Sequence, residues 1–207
     1  MTTLLILTGP QGSGNHLFSK IFALDKQVNG WSELNKTYWI GHDQEPFVNM
    51  WKNSDLVEKY NWQSHEYHVT SISCPFKDNG KTTWPNYTKF IKAVEKQGIK
   101  VKIGIIGRDQ NILAYQENRL RGSVTYYDFF RFLPELLKYE SVFLSQELLY
   151  LYERAYLQQI SKQLDFPIDY GNSLISEILK DDANKKYLQP VESNWLDPLI
   201  IKASNAS

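Results

Sequence analysis

Short apolar runs alternate with amphipathic stretches along the first half of the chain. Thr3 to Thr8 is a continuous apolar run stopped by Gly-Pro, and it predicts a buried parallel strand at the centre of a sheet. After a glycine-rich turn, apolar residues recur at spacings of three and four from Leu17 to Leu24, which predicts a helix. His65 to Ser73 and Val101 to Gly107 predict two further strands, and Tyr87 to Gln97 predicts a helix between them.

The remaining pattern is less regular but continues the alternation. A strand is predicted at Lys36 to Ile40, another at Ser141 to Ser145, and helices at Glu45 to Tyr60, Asn111 to Arg121, Tyr126 to Lys138, Leu148 to Leu164 and Leu174 to Leu179. The alternation of strands and helices along the chain predicts an α/β fold of three layers, with a central parallel sheet and helices on both faces. No repeat, linker or charge block marks a boundary, so we expect one domain over 1–207 that is mostly helical from about residue 110.

Composition excludes several classes of partner. Lys plus Arg and Asp plus Glu both number 23, so no overall field attracts nucleic acid or an anionic membrane. The single cysteine, Cys74, cannot form an internal disulfide, and we expect it to be a buried small apolar residue. The first residues lack a signal-peptide pattern, and no apolar run is long enough to span a bilayer. We therefore expect a cytoplasmic protein rather than a membrane-anchored Golgi enzyme.

The glycine-rich turn between the first strand and the first helix is the main candidate site. It reads Gly9-Pro10-Gln11-Gly12-Ser13-Gly14-Asn15-His16. Glycines allow successive N–H groups to point into one concavity, and the start of a helix adds partial positive charge. The pattern predicts a P-loop-like fold in which residues Gly12, Ser13, Gly14, Asn15 and His16 hold a phosphate-bearing nucleotide. The alternative is a tight turn that binds nothing.

Two substitutions argue against phosphoryl transfer at this turn. Nucleotide kinases place a Lys and then a hydroxyl residue after the last glycine, and this chain has Asn15 and His16 there. A divergent nucleotide kinase therefore remains only as an alternative.

An arginine that follows a buried strand is the second candidate. Arg108 stands directly after the strand ending at Gly107, where a side chain points into the ligand crevice of a parallel sheet. The alternative is that Asp109 caps the next helix and Arg108 pairs with it on the surface.

These segments resemble the sulfotransferase family. Ser13 to His16 looks like the family's 5′-phosphosulfate loop, and Ile105 to Gln116 resembles its strand-then-helix segment. Ser141 to Leu148 and Leu164 to Pro167 are similar to two later segments in the same order. The resemblance covers about residues 3 to 170 and implies 3′-phosphoadenosine-5′-phosphosulfate as the donor, without a metal. It also implies that Arg108 and Gln116 hold the 3′-phosphate.

The chain departs from the family at two functional positions. Gly12 stands where the family has Lys or Arg, so the cation would have to come from another element, and the candidates are Lys102, Arg119 and Arg121. Ser73 stands where cytosolic members have a catalytic His. The candidates for a general base are therefore Glu33 and His42, although an ordinary solvated residue is the alternative for each.

The resulting expectation is sulfuryl transfer to an unknown hydroxyl or amine on a small molecule or glycan, with variable loops around residues 31–65 and 75–86 forming the acceptor pocket. A non-catalytic nucleotide-binding protein of the same fold is the alternative. No metal site is expected, because His65 and His68 are three residues apart on a predicted strand and should face opposite sides.

Overall fold

The structure is a computed structural model that describes residues 1–30, 47–78, 80–121 and 126–180. Its strands are β1 (Thr3–Pro10), β2 (Val28–Asn29), β3 (Tyr67–Cys74), β4 (Phe76–Asp78), β5 (Lys81–Thr83), β6 (Lys100–Gly107) and β7 (Glu140–Ser145). Its α-helices are α1 (Asn15–Phe22), α2 (Val48–Lys52), α3 (Tyr87–Lys96), α4 (Gln110–Arg121), α5 (Tyr126–Phe129), α6 (Leu133–Leu136), α7 (Gln146–Leu164) and α8 (Leu174–Lys180). Short 3₁₀ helices span Ser54–Lys59 and Trp62–Ser64.

Five strands form one parallel sheet in the order β2-β3-β1-β6-β7, with β1 at its centre as the sequence predicts. The register pairs Pro10 with Cys74 and Gly107 with Ser145. The carboxyl ends of four strands therefore meet at one edge of the sheet, which we call the carboxyl edge. In an open α/β sheet this edge is where ligands bind.

Alternate residues of β1 enter two different cores. Leu4 and Ile6 belong to a core built with α2, α3, α5 and α6, whereas Leu5 and Leu7 belong to a core built with α1, α7 and α8. A strand with side chains buried on both faces needs helices on both sides, because neighbouring side chains point to opposite faces. The three-layer α/β fold is therefore confirmed.

Several local predictions are wrong. The stretch from Glu45 to Tyr60 is not one helix, because Asn53 ends α2 in an extended conformation and its side chain caps the following 3₁₀ helix. Tyr126 to Lys138 holds two short helices, α5 and α6, with a turn between them. The strand β2 and the β4–β5 hairpin escaped prediction, because each has only two or three residues. The strand predicted at 36–40 lies outside the described residues.

The part of the described chain that follows residue 110 contains five helices and one strand, in keeping with the helical pattern of its sequence. Of the helices in the described ranges, none is both long and apolar enough to cross a membrane.

Candidate functional site

The glycine turn joins the central strand to α1 at the carboxyl edge. Gly12 and Gly14 both have positive φ angles, 87° and 112°. Gly14 is the N-cap of α1, and no side chain caps it. The first N–H groups of a helix have no partner inside the helix, and they carry its partial positive charge. The turn therefore presents uncapped backbone donors at a helix start, as anion-binding turns do.

Close contacts explain why three positions of this turn are glycine. A Cβ on Gly9 would lie 2.3 Å from the backbone oxygen of Ile106, on the neighbouring strand. A Cβ on Gly12 would lie 2.7 Å from Gln116 Oε1, and one on Gly14 would lie 3.1 Å from Gln146 Oε1. Contacts under 3.0 Å force a shift of the neighbouring atoms, and the positive φ angles add strain for any other residue. The conformation of the turn therefore depends on glycine.

Arg108 connects the turn to the helix that follows β6. Its side chain is buried, and Nη1 donates to the carbonyl oxygen of Gly12 at 2.8 Å and to Gln116 Oε1 at 2.9 Å. The structure thus brings together the turn and the pair Arg108 and Gln116, which lie about 100 residues apart along the chain. Asp109 does cap α4, since its Oδ1 accepts from the N–H groups of Asn111 and Ile112. The alternative of a surface Arg108 is wrong, because the residue is 8% exposed.

One of the two substituted positions of the turn, Asn15, faces β3. Asn15 is buried, and its Nδ2 donates to Ser73 Oγ at 2.8 Å. Ser73, at the carboxyl end of β3, therefore contacts the turn itself. His16 is partly exposed on the first turn of α1. Neither side chain resembles the Lys and hydroxyl pair that phosphoryl transfer uses.

Buried polar atoms without a hydrogen-bond partner gather around the turn. In the described part of the chain they include Ser13 Oγ, Asn15 Oδ1, Ser19 Oγ and Gln146 Oε1. The four residues are between 0% and 4% exposed. Leaving such an atom unpaired costs about 1–3 kcal/mol, so sites of this kind are usually completed by water or by a ligand. A nucleotide offers both hydroxyl donors and phosphate acceptors, so its chemistry fits this mixed set.

Positive charge is scarce on the turn. Lys102 does not substitute for a loop cation, because it lies near the start of β6, away from the carboxyl edge. There its Nζ donates to the carbonyl oxygens of Leu164 and Asp165 at the end of α7. The side chains of Arg119 and Arg121 lie outside the described set. Arg108 is thus the cation whose contact with the turn is established.

Cys74 lies beside the turn but is not a nucleophile. It is fully buried, and burial raises the pKa of its thiol to about 12. A thiol in that state carries no thiolate near neutral pH, and the thiolate is the reactive form. The expectation of a buried, apolar Cys74 is confirmed.

The two predicted general bases, Glu33 and His42, lie outside the described residues, so both remain predictions. The argument that His65 and His68 face opposite sides is wrong: His65 precedes β3, and the two rings lie 6.1 Å apart, centre to centre. His68 is buried with Nε2 near the carbonyl oxygens of Trp62 and His65. No cluster of three or more metal-ligating side chains occurs among the described residues.

Two residues at the start of α7 escaped prediction. Gln146 lies against Gly14, and Glu147 Oε1 accepts from the backbone N–H of Asp109 at 2.9 Å. Glu147 Oε2 also accepts from Ser145 Oγ, so the β7–α7 junction is tied to the β6–α4 junction. The signal was present in the sequence, because any residue directly after a parallel strand of this sheet reaches the carboxyl edge.

Comparisons with known proteins give likenesses to solved structures alone. No family model matches the chain, and no curated protein sequence matches it. Among solved structures, the fold is similar to the crystal structure of mouse sulfotransferase SULT7A1 complexed with PAP, at 11% sequence identity and a TM-score of 0.43. The match covers 86% of this chain and 63% of that chain, so this chain spans less than two thirds of the mouse protein. A likeness at this level identifies neither a ligand nor an activity.

Proposed function

We propose that this chain binds 3′-phosphoadenosine-5′-phosphosulfate at the carboxyl edge and transfers its sulfuryl group to a hydroxyl or amine acceptor. The observation that carries the proposal is the contact between Arg108 Nη1 and the Gly12 carbonyl oxygen, at 2.8 Å. This hydrogen bond joins the glycine turn to Arg108 at the end of β6. A nucleotide with phosphates at both its 5′ and 3′ positions needs one binding element for each phosphate. In this proposal the turn from Gly12 to His16 holds the 5′ end, and Arg108 with Gln116 holds the 3′ end.

The chemistry requires two contributions from the protein, a general base and stabilisation of the leaving phosphate. An S–O or S–N bond forms to the acceptor while the S–O bond to the nucleotide's 5′-phosphate breaks, and the acceptor's proton passes to a general base. Backbone N–H groups of the turn can stabilise the charge that develops on the leaving phosphate. Glu33 and His42 remain our candidates for the base, and the acceptor is a small molecule or glycan.

Binding of 3′,5′-adenosine bisphosphate, measured by calorimetry, tests the site without requiring an acceptor. Arg108→Ala removes a charged donor from the site, and hydrogen bonds to charged groups contribute about 1.5–3 kcal/mol, so affinity should fall by about tenfold or more. Lys96→Ala is the control, since it removes an equal charge from an exposed residue at the end of α3. No binding by the wild-type chain, or unchanged affinity in Arg108→Ala, refutes the assignment of this site.

A second candidate function is nucleotide binding without catalysis. The turn itself contains no Lys or Arg, and Lys102 is committed to the end of α7. Charge on the leaving phosphate therefore lacks the cation that would stabilise it from the turn. Incubation with sulfur-labelled donor and a panel of acceptors separates the two functions: labelled product supports transfer, whereas binding without any product supports the second candidate. Magnesium-dependent consumption of ATP would instead favour a kinase.

A further inference from the structure

Carboxamide side chains line the glycine turn. Asn15 is the first residue of α1, Gln146 is the first residue of α7, and Gln116 lies on α4. The oxygen of Gln116 accepts from Arg108, whereas the side-chain oxygens of Asn15 and Gln146 are buried and have no hydrogen-bond partner. Two carboxamides at the turn therefore have an unused end.

The oxygen of Gln146 lies beside the start of α1. A Cβ on Gly14, the N-cap of α1, would lie 3.1 Å from Gln146 Oε1, and Gln146 is 3% exposed. The start of a helix carries partial positive charge, which attracts the negative end of an amide dipole. This attraction favours the observed orientation, in which an oxygen rather than an NH2 group faces α1. A full negative charge at the same place would reverse that preference, because it repels the oxygen and attracts the NH2 group.

Ser73 holds the carboxamide of Asn15 at one end. Asn15 Nδ2 donates to Ser73 Oγ at 2.8 Å, and both residues are buried. A hydroxyl group both donates and accepts, so Ser73 can accept from Nδ2 or donate to Oδ1. The hydrogen bond between the two residues is therefore available in either orientation of the amide.

A carboxamide reverses by rotation about a single bond. The last torsion of Asn and Gln has a broad, roughly two-fold preference, so half a turn exchanges the oxygen and the NH2 group in one place. Gln146 Oε1 gives up no hydrogen bond in this rotation, because it makes none. Both side chains can thus present a donor where they now present an acceptor.

We propose that the carboxamides of Asn15 and Gln146 turn their NH2 groups toward the anion bound at the glycine turn, and that Ser73 holds Asn15 in this orientation. The inference rests on the proposed function, in which the 5′ end of the nucleotide lies at the turn. The turn from Gly9 to His16 contains no Lys or Arg. Two uncharged donors then do at the 5′ end what a loop cation would otherwise do.

Gln146→Met tests the donor without adding charge. The variant keeps the length of the side chain but removes a buried unpaired oxygen, so the midpoint of urea denaturation should stay the same or rise. The affinity for 3′,5′-adenosine bisphosphate, measured by calorimetry, should fall by about tenfold, since a hydrogen bond to a charged group is lost. Gln158→Met is the control, because Gln158 is an exposed residue of the same helix. Unchanged affinity in Gln146→Met overturns the proposal.

Adenosine 3′-monophosphate shows which phosphate the amide contacts. This ligand lacks the 5′-phosphate, so Gln146→Met and the wild-type chain should bind it equally well. An equal loss of affinity for both nucleotides would mean that Gln146 does not contact the 5′ group.

Asn15 and Ser73 are tested as a pair. Asn15→Asp keeps an acceptor for Ser73 but has no donor for a phosphate, so affinity for the bisphosphate should fall by about tenfold or more. Asn53→Asp is the control, because it adds the same charge at an exposed residue and keeps the oxygen that caps the next helix. Ser73→Ala should lower affinity by about threefold, since it removes one uncharged hydrogen bond that orients Asn15. Unchanged affinity in Ser73→Ala would contradict the role of Ser73.

Nuclear magnetic resonance of the side-chain NH2 groups follows the reversal directly. The signals of Asn15 and Gln146 are identified by their absence from Asn15→Asp and Gln146→Met. Both should shift when the wild-type chain binds the bisphosphate, whereas the signal of Gln158 should not. If the bisphosphate binds and neither signal shifts, this inference is wrong and the proposed function stands. If the wild-type chain does not bind the bisphosphate, both are wrong.

Discussion

Arg108 Nη1 donates a hydrogen bond to the carbonyl oxygen of Gly12 in the glycine turn. The sequence contains no sign of this contact between the two. The same nitrogen donates to Gln116 Oε1, on the helix that Arg108 precedes. One guanidinium therefore fixes the turn relative to α4. The shape of the proposed 5′ site and the position of the proposed 3′ site depend on each other through this residue.

Gly12 should tolerate no side chain. In Gly12→Ala the new Cβ would meet Gln116 Oε1 at 2.7 Å, on a backbone whose φ is 87°. We expect a loss of about 2–3 kcal/mol in the free energy of unfolding and the loss of nucleotide binding. Urea denaturation and calorimetry measure the two effects.

Gly98→Ala is the matched control for backbone strain. Its φ is 75°, and nothing lies within 4 Å of the Cβ position. This variant should cost only about 1–2 kcal/mol and leave binding intact. If the two variants had equal effects on stability and binding, the contact with Gln116 would have no role at the site.

The side-chain oxygen of Gln116 should contribute to nucleotide affinity, because it accepts a hydrogen bond from Arg108. Gln116→Met keeps the length of the side chain but removes the acceptor for Arg108, whereas Arg108 retains its bond to Gly12. The affinity for 3′,5′-adenosine bisphosphate should fall by about tenfold, since a hydrogen bond to a charged group is lost. Gln116→Glu, which restores an acceptor, should recover the stability of the fold but not the affinity, because it adds negative charge beside a phosphate. Recovery of full affinity in Gln116→Glu would contradict a phosphate at this position.

Lys102 should stabilise the fold without affecting the site. Its side chain is 2% exposed and ties β6 to the end of α7 through the carbonyl oxygens of Leu164 and Asp165. Lys102→Met removes these charged hydrogen bonds and should cost about 2–4 kcal/mol in unfolding free energy. Nucleotide affinity should not change, because Lys102 lies away from the carboxyl edge.

Lys100→Met is the control for charge at this end of the sheet. Lys100 is 41% exposed and pairs with Glu140, which Lys102 also contacts, so its loss should destabilise the fold much less than the loss of Lys102 does. Equal losses in the two variants would mean that burial of Lys102 has no energetic consequence.

The main strands and the carboxyl edge were predictable because a buried parallel strand has a short, continuous apolar sequence. β1, β3 and β6 follow such runs closely. The break in α7 at Glu153, where φ is 42°, leaves no comparable pattern, since the apolar spacing continues across it. Two-residue strands such as β2 are likewise too short for a periodicity to appear.

The parts of the candidate site could be named from the sequence, but the contacts between them could not. Residue types and strand ends indicated the turn and Arg108, yet nothing in the sequence says that Arg108 donates to Gly12 or that Asn15 donates to Ser73. Such contacts depend on how strands separated along the chain come into register, as Pro10 and Cys74 do. The place of Gln146 directly after β7 indicated the carboxyl edge, but its contact with Gly14 did not follow from the sequence, because that contact joins two non-adjacent strands.

His68 should make stability depend on pH. It is fully buried, and burial is the main cause that lowers its pKa below the ordinary value. Its Nε2 lies near two carbonyl oxygens and so carries the proton, while Nδ1 faces the amide nitrogen of Asn29 at 3.2 Å and can accept from it. A second proton on Nδ1 would therefore meet a donor instead of an acceptor.

The sign of the effect follows from the lowered pKa. The unfolded chain, whose histidines titrate near about 6.5, binds a proton at a higher pH than the folded chain does. Stability is therefore complete above about pH 7.5 and falls as the pH drops through 6.5, by up to about 1.4 kcal/mol per unit. Urea denaturation between about pH 7.5 and 5.5 should show this slope in the wild type and in His65→Gln, whose side chain is exposed. His68→Gln should be less stable at pH 7.5 but should lose the slope, and a slope that persists in this variant would assign the effect to another group.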